Sequence, residues 1–210
     1  MWTTSLDAIN KYLAQLTLNE KYSATKRSPG GIWGVYGTLW YGHADMRTGM
    51  RTATTYGALD AFFPAVLALS GDVNRAGQLQ LSSFAMWKKN GIEPEEFDYL
   101  KSEVTQPGYP LRPEIIESTY YLYHFTKNPK YLRMGETMWH DFVKYCRTDE
   151  GYAALKSVVT KEKSDSMQSF LFAETFKYFY LLFAPPSTLA FDKVIFNTEA
   201  HPIKRANMKP

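Results

Sequence analysis

Two glutamates three residues apart form the most suggestive chemical pattern in this sequence. Glu114 and Glu117 follow Pro113 at the start of a predicted helix, which places both carboxylates on one face of its first turn. Arg112 precedes them, and a guanidinium beside carboxylates favours their ionised form and orients them, as a general base requires. Carboxylates in a first turn also stabilise the positive end of a helix without any catalytic role. The spacing fits both interpretations.

A second candidate site lies near residue 198, in the run FNTEAHP that starts at residue 196. The hydroxyl and the backbone carbonyl of Thr198 are hard oxygen donors that could bind one Ca²⁺ together, with water completing the coordination. Glu199 beside it could hold those waters in place. A strand that ends in Asn-Thr-Glu is also typical of an ordinary turn, so both interpretations stay open.

Glu174 is the third carboxylate of interest, because it lies in a long aromatic segment where a charge is unfavourable unless it is paired. It is either a pocket residue or a structural residue tied to a backbone donor, and we slightly favour the structural role. His124 and His140 lack ligand-type partners at helical spacing, so we interpret them as core or surface residues rather than metal ligands.

The composition of the 210-residue chain argues against several classes of protein. Its formal net charge is +3 and its basic residues are dispersed, so we expect no nucleic-acid partner. No stretch approaches the roughly 20 apolar residues of a membrane span, and the single Cys146 excludes an internal disulfide. Aromatic residues reach 16%, which fits either a large aromatic core or a groove whose rings stack on sugars.

Apolar spacing predicts a mainly helical chain. Helices are expected at residues 6–18, 59–69, 73–89, 112–125, 130–145 and 167–183. Other elements are expected as a turn at 28–31, a β-hairpin or aromatic loop at 32–50, a long loop at 93–108, a short hairpin at 152–159, a strand at 193–196 and a disordered tail at 204–210. Paired helices without a fixed repeat favour an α/α toroid of helical hairpins over a solenoid.

Taken together, these segments resemble glycoside hydrolase family 47, the calcium-dependent α-1,2-mannosidases of the secretory pathway. The resemblance covers about residues 55 to 203, and its motifs occur in the family's order and spacing. They are YPLRPEIIES (109–118), GY (151–152), SFLFAETFKY (169–178) and FNTEAHP (196–202). The runs AFFP (61–64) and LSGDV (69–73) are similar to the ER-degradation mannosidase-like subgroup.

The resemblance implies an (α/α)₇ toroid with the active site in its bore, of which residues 1–203 form the C-terminal portion. It also implies inverting hydrolysis of terminal α-1,2-linked mannose on Asn-linked high-mannose glycans. Residue by residue, Glu114 corresponds to the proposed general base, and Thr198 corresponds to the residue that binds Ca²⁺ through hydroxyl and carbonyl. Arg112 corresponds to the neighbour of that base, and Glu199 corresponds to a carboxylate near the metal. Arg112, Glu117 and Glu199 are expected to bind the substrate.

The sequence also departs from the family pattern. The family's general-acid Glu and its second catalytic carboxylate, an Asp, match nothing in this chain, so we expect the chain alone to be inactive. Gly57 stands where many members have a sugar-contacting Asp, which puts some substrate contacts in doubt. Gln168 stands where many members have Glu, although some also carry Gln.

We therefore expect the base-and-calcium side of a mannosidase of the endoplasmic reticulum lumen. Its expected partners are high-mannose glycans on misfolded glycoproteins and a thiol oxidoreductase of the disulfide isomerase type. The alternatives are an inactive mannosidase-like module that binds glycans or another protein, and a truncated product without function.

Overall fold

The computed structural model describes residues 2–17 and 39–208. Within these ranges the chain is mainly helical with short β-sheets, as predicted. The helices are α1 (Trp2–Tyr12), α2 (Phe63–Leu69), α3 (Val73–Asn90), α4 (Glu114–Thr126), α5 (Pro129–Cys146) and α6 (Phe176–Phe183). A 3₁₀ turn at Ala58–Phe62 leads into α2, and a π-helical turn at Leu171–Thr175 leads into α6.

Short antiparallel strands lie between the helix pairs. They are β1 (Ala14–Leu16), β2 (Leu39–Tyr41), β3 (His43–Ala44), β4 (Arg51–Ala53), β5 (Thr55–Gly57), β6 (Glu96–Asp98), β7 (Glu103–Gln106), β8 (Val194–Phe196) and β9 (Pro202–Lys204). In the described part of the chain they pair as β1–β2, β3–β4, β5–β6–β7 and β8–β9. Tyr56 faces Phe97 across the three-stranded sheet, which anchors the segment after α3 to the segment before α2.

Caps and left-handed residues set the ends of the helices. The Asp72 carboxylate accepts a hydrogen bond from the Arg75 N–H at 3.1 Å where α3 begins, and Gly91 ends α3 with a φ of 72°. Asn128 caps α5 by accepting from the Lys130 N–H at 3.0 Å. Short connections make helical hairpins of α2 with α3 and of α4 with α5, and α4 packs against α2, α3, α5 and α6. Within the described structure, α4 is therefore the central helix.

The core is rich in aromatic side chains. Its largest fully buried residues are Trp87, Tyr56, Tyr109, Tyr131, Tyr178 and Phe142. The Tyr109 ring packs edge-on against Trp87 at 6.0 Å and against Phe142 at 6.4 Å between ring centroids. Gly135 lets α5 approach α6 closely, because a Cβ there would lie 2.2 Å from Leu182 Cδ2. Much of the aromatic content is thus explained by packing.

Two predicted helices begin or end several residues away from the predicted positions. The helix predicted at 6–18 ends at Tyr12, since residues 14–16 pair as β1 with β2. The helix predicted at 167–183 starts with the π-helical turn at residue 171. Both shifts reflect contacts outside the local pattern.

Three other predicted segments have a different structure. The predicted loop at 93–108 contains β6 and β7, which depend on pairing with the distant β5. The predicted hairpin at 152–159 forms isolated bridges instead, with Arg147 paired to Tyr152 and Tyr109 paired to Leu155. In the predicted tail, Lys204 belongs to β9 and residues 205–207 form a 3₁₀ turn.

Some predicted segments cannot be compared. The predicted turn at 28–31 and the first part of the predicted hairpin, residues 32–38, lie outside the described residues. The remainder of that hairpin region contains β2 and β3.

Candidate active site

Arg112 is fixed immediately before α4 by a carboxylate that the local sequence pattern does not reveal. Its Nε and Nη2 donate to the two carboxylate oxygens of Glu95 at 2.8 and 2.9 Å, a bidentate pair. Arg112 Nη1 lies 3.9 Å from Glu114 Oε1. Hydrogen bonding to Glu95 raises the pKa of Arg112. The arginine is therefore committed mainly to Glu95 and only secondarily to Glu114.

Contacts from the core hold the backbone that delivers Arg112. Leu111 is fully buried with a φ of 67°, and its carbonyl accepts a hydrogen bond from the Thr175 hydroxyl at 2.8 Å. The Tyr109 hydroxyl donates to the Arg112 carbonyl at 3.2 Å. We predicted Pro113 as the first helical residue, but it is the capping residue, and α4 begins at Glu114. Glu114 and Glu117 still occupy the first turn.

Glu114 is a carboxyl in an unfavourable environment for charge. Burial raises its pKa to about 7, opposed by its own backbone N–H and by Arg112, and aided by the charges of Glu117 and Glu174. Its side chain is 13% exposed. The Oε2 atom is buried and has no hydrogen-bond partner among the described protein groups. Glu114 is thus held near the midpoint of its titration at neutral pH.

Glu117 has the same shift but a different partner. Burial raises its pKa to about 7 as well, while a hydrogen bond from the Tyr178 hydroxyl, 2.9 Å from Glu117 Oε1, lowers it. Arg112 makes no ion pair with Glu117 in the described structure. The predicted grouping of Arg112 with both glutamates therefore holds for Glu114 alone.

Glu174 lies in the π-helical turn and is 9% exposed. Burial raises its pKa, the charge of Glu199 raises it further and Lys177 lowers it. It also interacts electrostatically with Glu114 and Glu117. We call Glu114, Glu117, Glu174 and Glu199 the carboxylate cluster. Because Glu174 interacts with each of the other three, it connects the start of α4 with the segment after β8.

Thr198 lies in a turn that Asn197 organises. Asn197 Oδ1 accepts from the backbone N–H groups of Glu199 at 3.0 Å and His201 at 2.9 Å. Ala200 is buried with a φ of 54°, and its carbonyl accepts from Lys177 Nζ at 2.7 Å. This lysine bond ties the turn to the helical segment that carries Glu174.

The donor set of this turn suits a hard cation such as Ca²⁺. Thr198 is exposed, and within residues 39–208 neither its hydroxyl nor its carbonyl oxygen makes a hydrogen bond. Two oxygens from one residue leave room for the several waters that Ca²⁺ accepts, and the carboxylate cluster supplies negative charge. The described residues contain no group of three His, Cys, Asp or Glu side chains that could hold a metal by themselves. A site here would depend on Thr198 and on water.

The predicted site residues are connected partly by direct and partly by indirect contacts. Arg112 and Glu114 are direct neighbours, and Glu199 reaches them electrostatically through Glu174. No hydrogen bond in the described part of the chain joins Thr198 to Arg112 or Glu114.

Three candidate functional residues were not predicted from the sequence. Glu95 pairs with Arg112, Tyr178 donates to Glu117, and Glu93 is fully buried near both Glu95 and Glu114. The signal that could have drawn attention is the acidic run Glu-Pro-Glu-Glu directly after the predicted end of α3. Tyr178 belongs to the SFLFAETFKY motif but carries no local sign of its role.

Two positions where the sequence departs from the family pattern lie in ordinary backbone. Gly57 has a φ of −92°, and its N–H donates to Asp60 Oδ2 at 2.7 Å. Gln168 is exposed, and its Nε2 donates to the Ser166 hydroxyl at 3.2 Å. Neither position requires its present residue for backbone reasons.

Comparison with known proteins decides the family. The sequence profile described as glycosyl hydrolase family 47 matches residues 1–205. The chain belongs to glycosyl hydrolase family 47. This membership confirms the resemblance read from the motifs.

Two relatives and a solved structure are also similar to this chain, which aligns with only part of each of them. α-Mannosidase I MNS5 of Arabidopsis thaliana is 41% identical over 79% of this chain and 29% of the relative. ER degradation-enhancing α-mannosidase-like protein 3 of Homo sapiens is 42% identical over 72% of this chain and 16% of the relative. An α-1,2-mannosidase from Trichoderma reesei superposes with a TM-score of 0.74 at 25% identity, covering 97% of this chain and 46% of that chain.

The aligned lengths show how much of the family fold this chain contains. The chain spans less than a third of the length of these two curated relatives and less than half of the solved mannosidase. Its helical hairpins form part of an (α/α)₇ barrel, as expected. Among the described residues, every helix is too short or too polar to traverse a lipid bilayer.

Proposed function

We propose that this chain supplies the base-and-calcium side of an inverting α-1,2-mannosidase acting on Asn-linked high-mannose glycans in the endoplasmic reticulum. The observation that carries the proposal lies at the start of α4. There, Glu114 Oε2 is buried without a hydrogen-bond partner among the described residues, and Arg112 Nη1 lies 3.9 Å from the other carboxyl oxygen, Oε1. Membership of family 47 and the names of the relatives support the class of reaction.

Glu114 has the properties of a general base. A base works best when its pKa is near the working pH, and burial brings the pKa of Glu114 to about 7. In the reaction, the carboxylate would accept a proton from the water that attacks the anomeric carbon. Arg112 keeps the carboxylate oriented, and Glu95 keeps Arg112 in place.

Thr198 is the residue that would hold Ca²⁺, through its hydroxyl and carbonyl oxygens. A bound ion there would supply positive charge and would coordinate hydroxyl groups of the sugar. Glu199 and Glu174 would orient the waters of the ion, because both are acceptors and interact with each other. The Asn197 turn holds the Thr198 backbone for this role.

The chain by itself should release mannose at trace rates at most. An inverting reaction needs a second carboxyl group roughly 6.5–9.5 Å from the base to protonate the leaving oxygen. No segment of this sequence matches the acid motif of the family. A positioned acid contributes about 10²–10⁴-fold to the rate, so we assign the acid to another part of a longer catalytic domain.

The expected oxidoreductase partner would not use Cys146. This single cysteine is fully buried, and burial raises its pKa to about 12. Such a thiol is unreactive in disulfide exchange. A thiol oxidoreductase would therefore bind this part of the protein without a covalent bond.

Gly57 favours a second candidate function, a mannosidase-like module that binds glycans or a protein partner without cleaving them. Loss of the usual carboxylate removes a sugar contact while leaving the Thr198 turn intact. The two functions differ in turnover and share calcium-dependent binding.

The test compares this chain with a longer chain that also carries the upstream half of the catalytic domain. We expect the longer chain to release mannose from an α-1,2-linked disaccharide only with Ca²⁺, and EDTA to abolish the release. Glu114→Gln should reduce kcat by about 10²–10⁴-fold, whereas the exposed control Glu103→Gln should not. Calcium-dependent mannose binding without turnover in the longer chain would favour the binding module.

A further inference from the structure

A second acidic side chain lies buried behind the start of α4. Glu93 follows the C-terminal end of α3, and it is fully buried. Neither of its carboxyl oxygens has a hydrogen-bond partner in the described structure. Buried polar groups are nearly always paired with protein or with water, because leaving them unpaired is unfavourable. Glu93 therefore requires an explanation.

The surroundings of Glu93 disfavour its charged form. The groups that interact with it electrostatically are Glu95, Arg112, Glu114, Tyr56 and Tyr109. Burial, followed by the charges of Glu114 and Glu95, raises the pKa of Glu93 well above its usual value. Arg112 opposes this shift, but its guanidinium is already committed to both oxygens of Glu95. A neutral carboxylic acid retains one O–H donor.

Glu114 offers the matching acceptor. Its Oε1 is the oxygen near Arg112, whereas its buried Oε2 has no partner among the described groups. Two neighbouring carboxyls thus carry three buried oxygens without a protein partner. One water between them would pair with one oxygen of each carboxyl, because a buried water typically makes about three hydrogen bonds. The Glu93 O–H would donate to the water, and the water would donate to Glu114 Oε2.

We propose that Glu93 is a positioning residue, a neutral carboxylic acid that holds the Glu114 carboxylate through one buried water molecule. The inference rests on the proposed role of Glu114 as the base. Arg112 and Glu93 would then act on different oxygens of the same carboxylate. A donor on Oε2 favours the ionised form of Glu114, which is the form that a base needs.

The first test is a pH titration of this chain, with the carboxyl carbons of glutamate labelled with ¹³C and followed by NMR. We expect the Glu93 signal to remain that of a neutral acid through the pH range in which Glu114 titrates. A Glu93 signal that is ionised at pH 7 overturns the proposal.

Two variants separate hydrogen bonding from charge repulsion. Glu93→Gln keeps a donor and should leave the pKa of Glu114 close to that of the unmodified chain. Glu93→Met removes the donor at similar volume and should raise the pKa of Glu114 by about one unit, a tenfold change in its ionisation constant. The exposed Glu103→Gln serves as the control.

Opposite results would contradict the proposal. A Glu114 pKa that falls in Glu93→Gln would mean that Glu93 acts as a repelling charge, and an unchanged value in Glu93→Met would mean that the two groups are not linked. The titration does not depend on mannosidase activity. A failed mannose assay with the expected titration would reject the proposed function and leave the link between Glu93 and Glu114 standing.

Discussion

The start of α4 and the Thr198 turn differ in how much of each structure the protein itself completes. At the start of α4, Arg112 is locked by Glu95, and Glu117 is paired with Tyr178. In the turn, Asn197 fixes the backbone, and the exposed Thr198 makes no hydrogen bond through its hydroxyl or carbonyl oxygen within the described structure. The proposed base side is therefore organised by side-chain contacts, whereas the proposed calcium side is organised mainly through its backbone.

Substitutions in the two regions should therefore have different effects. Changes at the start of α4 should affect folding stability as well as chemistry, because its charges are partly buried. Changes in the turn should affect calcium binding more than folding.

The largest predicted effect is the pH dependence of stability, which tests the base side. Burial raises the pKa of Glu114 and Glu117 from 4.5 to about 7 in the folded chain. Each group binds its proton more tightly when folded, so its contribution to stability is full below pH 4.5 and is lost as the pH rises through 7. Without Ca²⁺, the free energy of unfolding should fall by up to about 3 kcal/mol per group over this range.

Urea denaturation in EDTA at several pH values measures this slope. Glu117→Gln should reduce this slope, whereas the exposed Glu103→Gln should not change it. Stability that rises steadily from pH 5 to pH 8 would contradict the assigned burial of these carboxyls.

The second prediction concerns the pair between Glu95 and Arg112. Glu95→Ala should destabilise the chain by about 2 kcal/mol, because it leaves a partly buried guanidinium without its bidentate partner. The control is Glu162→Ala, which breaks an exposed pair with Lys156 at 2.6 Å. Exposed pairs contribute about 0–1 kcal/mol. Equal effects of the two substitutions in denaturation experiments would show that Arg112 is not specially held.

The third prediction concerns the calcium side. Asn197→Ala removes the acceptor of two backbone N–H groups, so the Thr198 backbone should lose its fixed geometry. We expect Ca²⁺ affinity to fall about tenfold with a stability loss of about 1 kcal/mol. Calorimetric titration with Ca²⁺ measures the affinity, and the exposed Asn207→Ala is the control. A loss of stability without any loss of Ca²⁺ affinity would contradict the assignment of the ion to this turn.

The smallest effect is expected at Gly57. Its φ of −92° suits any residue, and an added Cβ would meet Asp60 Oδ2 and the Glu95 carbonyl at 3.4 Å. Gly57→Ala should therefore stabilise the chain by about 0.5 kcal/mol. In contrast, Gly91→Ala should destabilise it, since Gly91 has a φ of 72° and its Cβ would lie 3.0 Å from the Tyr145 ring. Thermal denaturation of the two variants distinguishes them.

The sequence predicted the helices and the motif residues better than it predicted their partners. Glu114, Glu117 and Thr198 stand in short motifs, and the helix pairs follow from local apolar spacing and capping residues. The assignment of chemistry to these residues depends on the family resemblance and stays a prediction.

The missed features are all non-local. Glu95 lies 17 residues before Arg112, in a segment that we predicted as a loop. Its position depends on the pairing of β6 with β5, about 40 residues earlier in the chain, which no local pattern indicates. The groups around Glu93 likewise include Arg112 and Glu114, which lie further along the chain at the start of α4.

The most direct test of the account asks whether the two regions share one calcium site. Gd³⁺ replaces Ca²⁺ as a paramagnetic ion, and its effect on the amide NMR signals of this chain depends on distance. We predict that one equivalent of Gd³⁺ broadens the signals of residues 197–200 and of residues 112–117 together, and that Thr198→Val weakens both effects while the exposed Thr188→Val weakens neither. Broadening confined to residues 197–200, or absent from both regions, would contradict the claim that Glu114 and Thr198 belong to the same site.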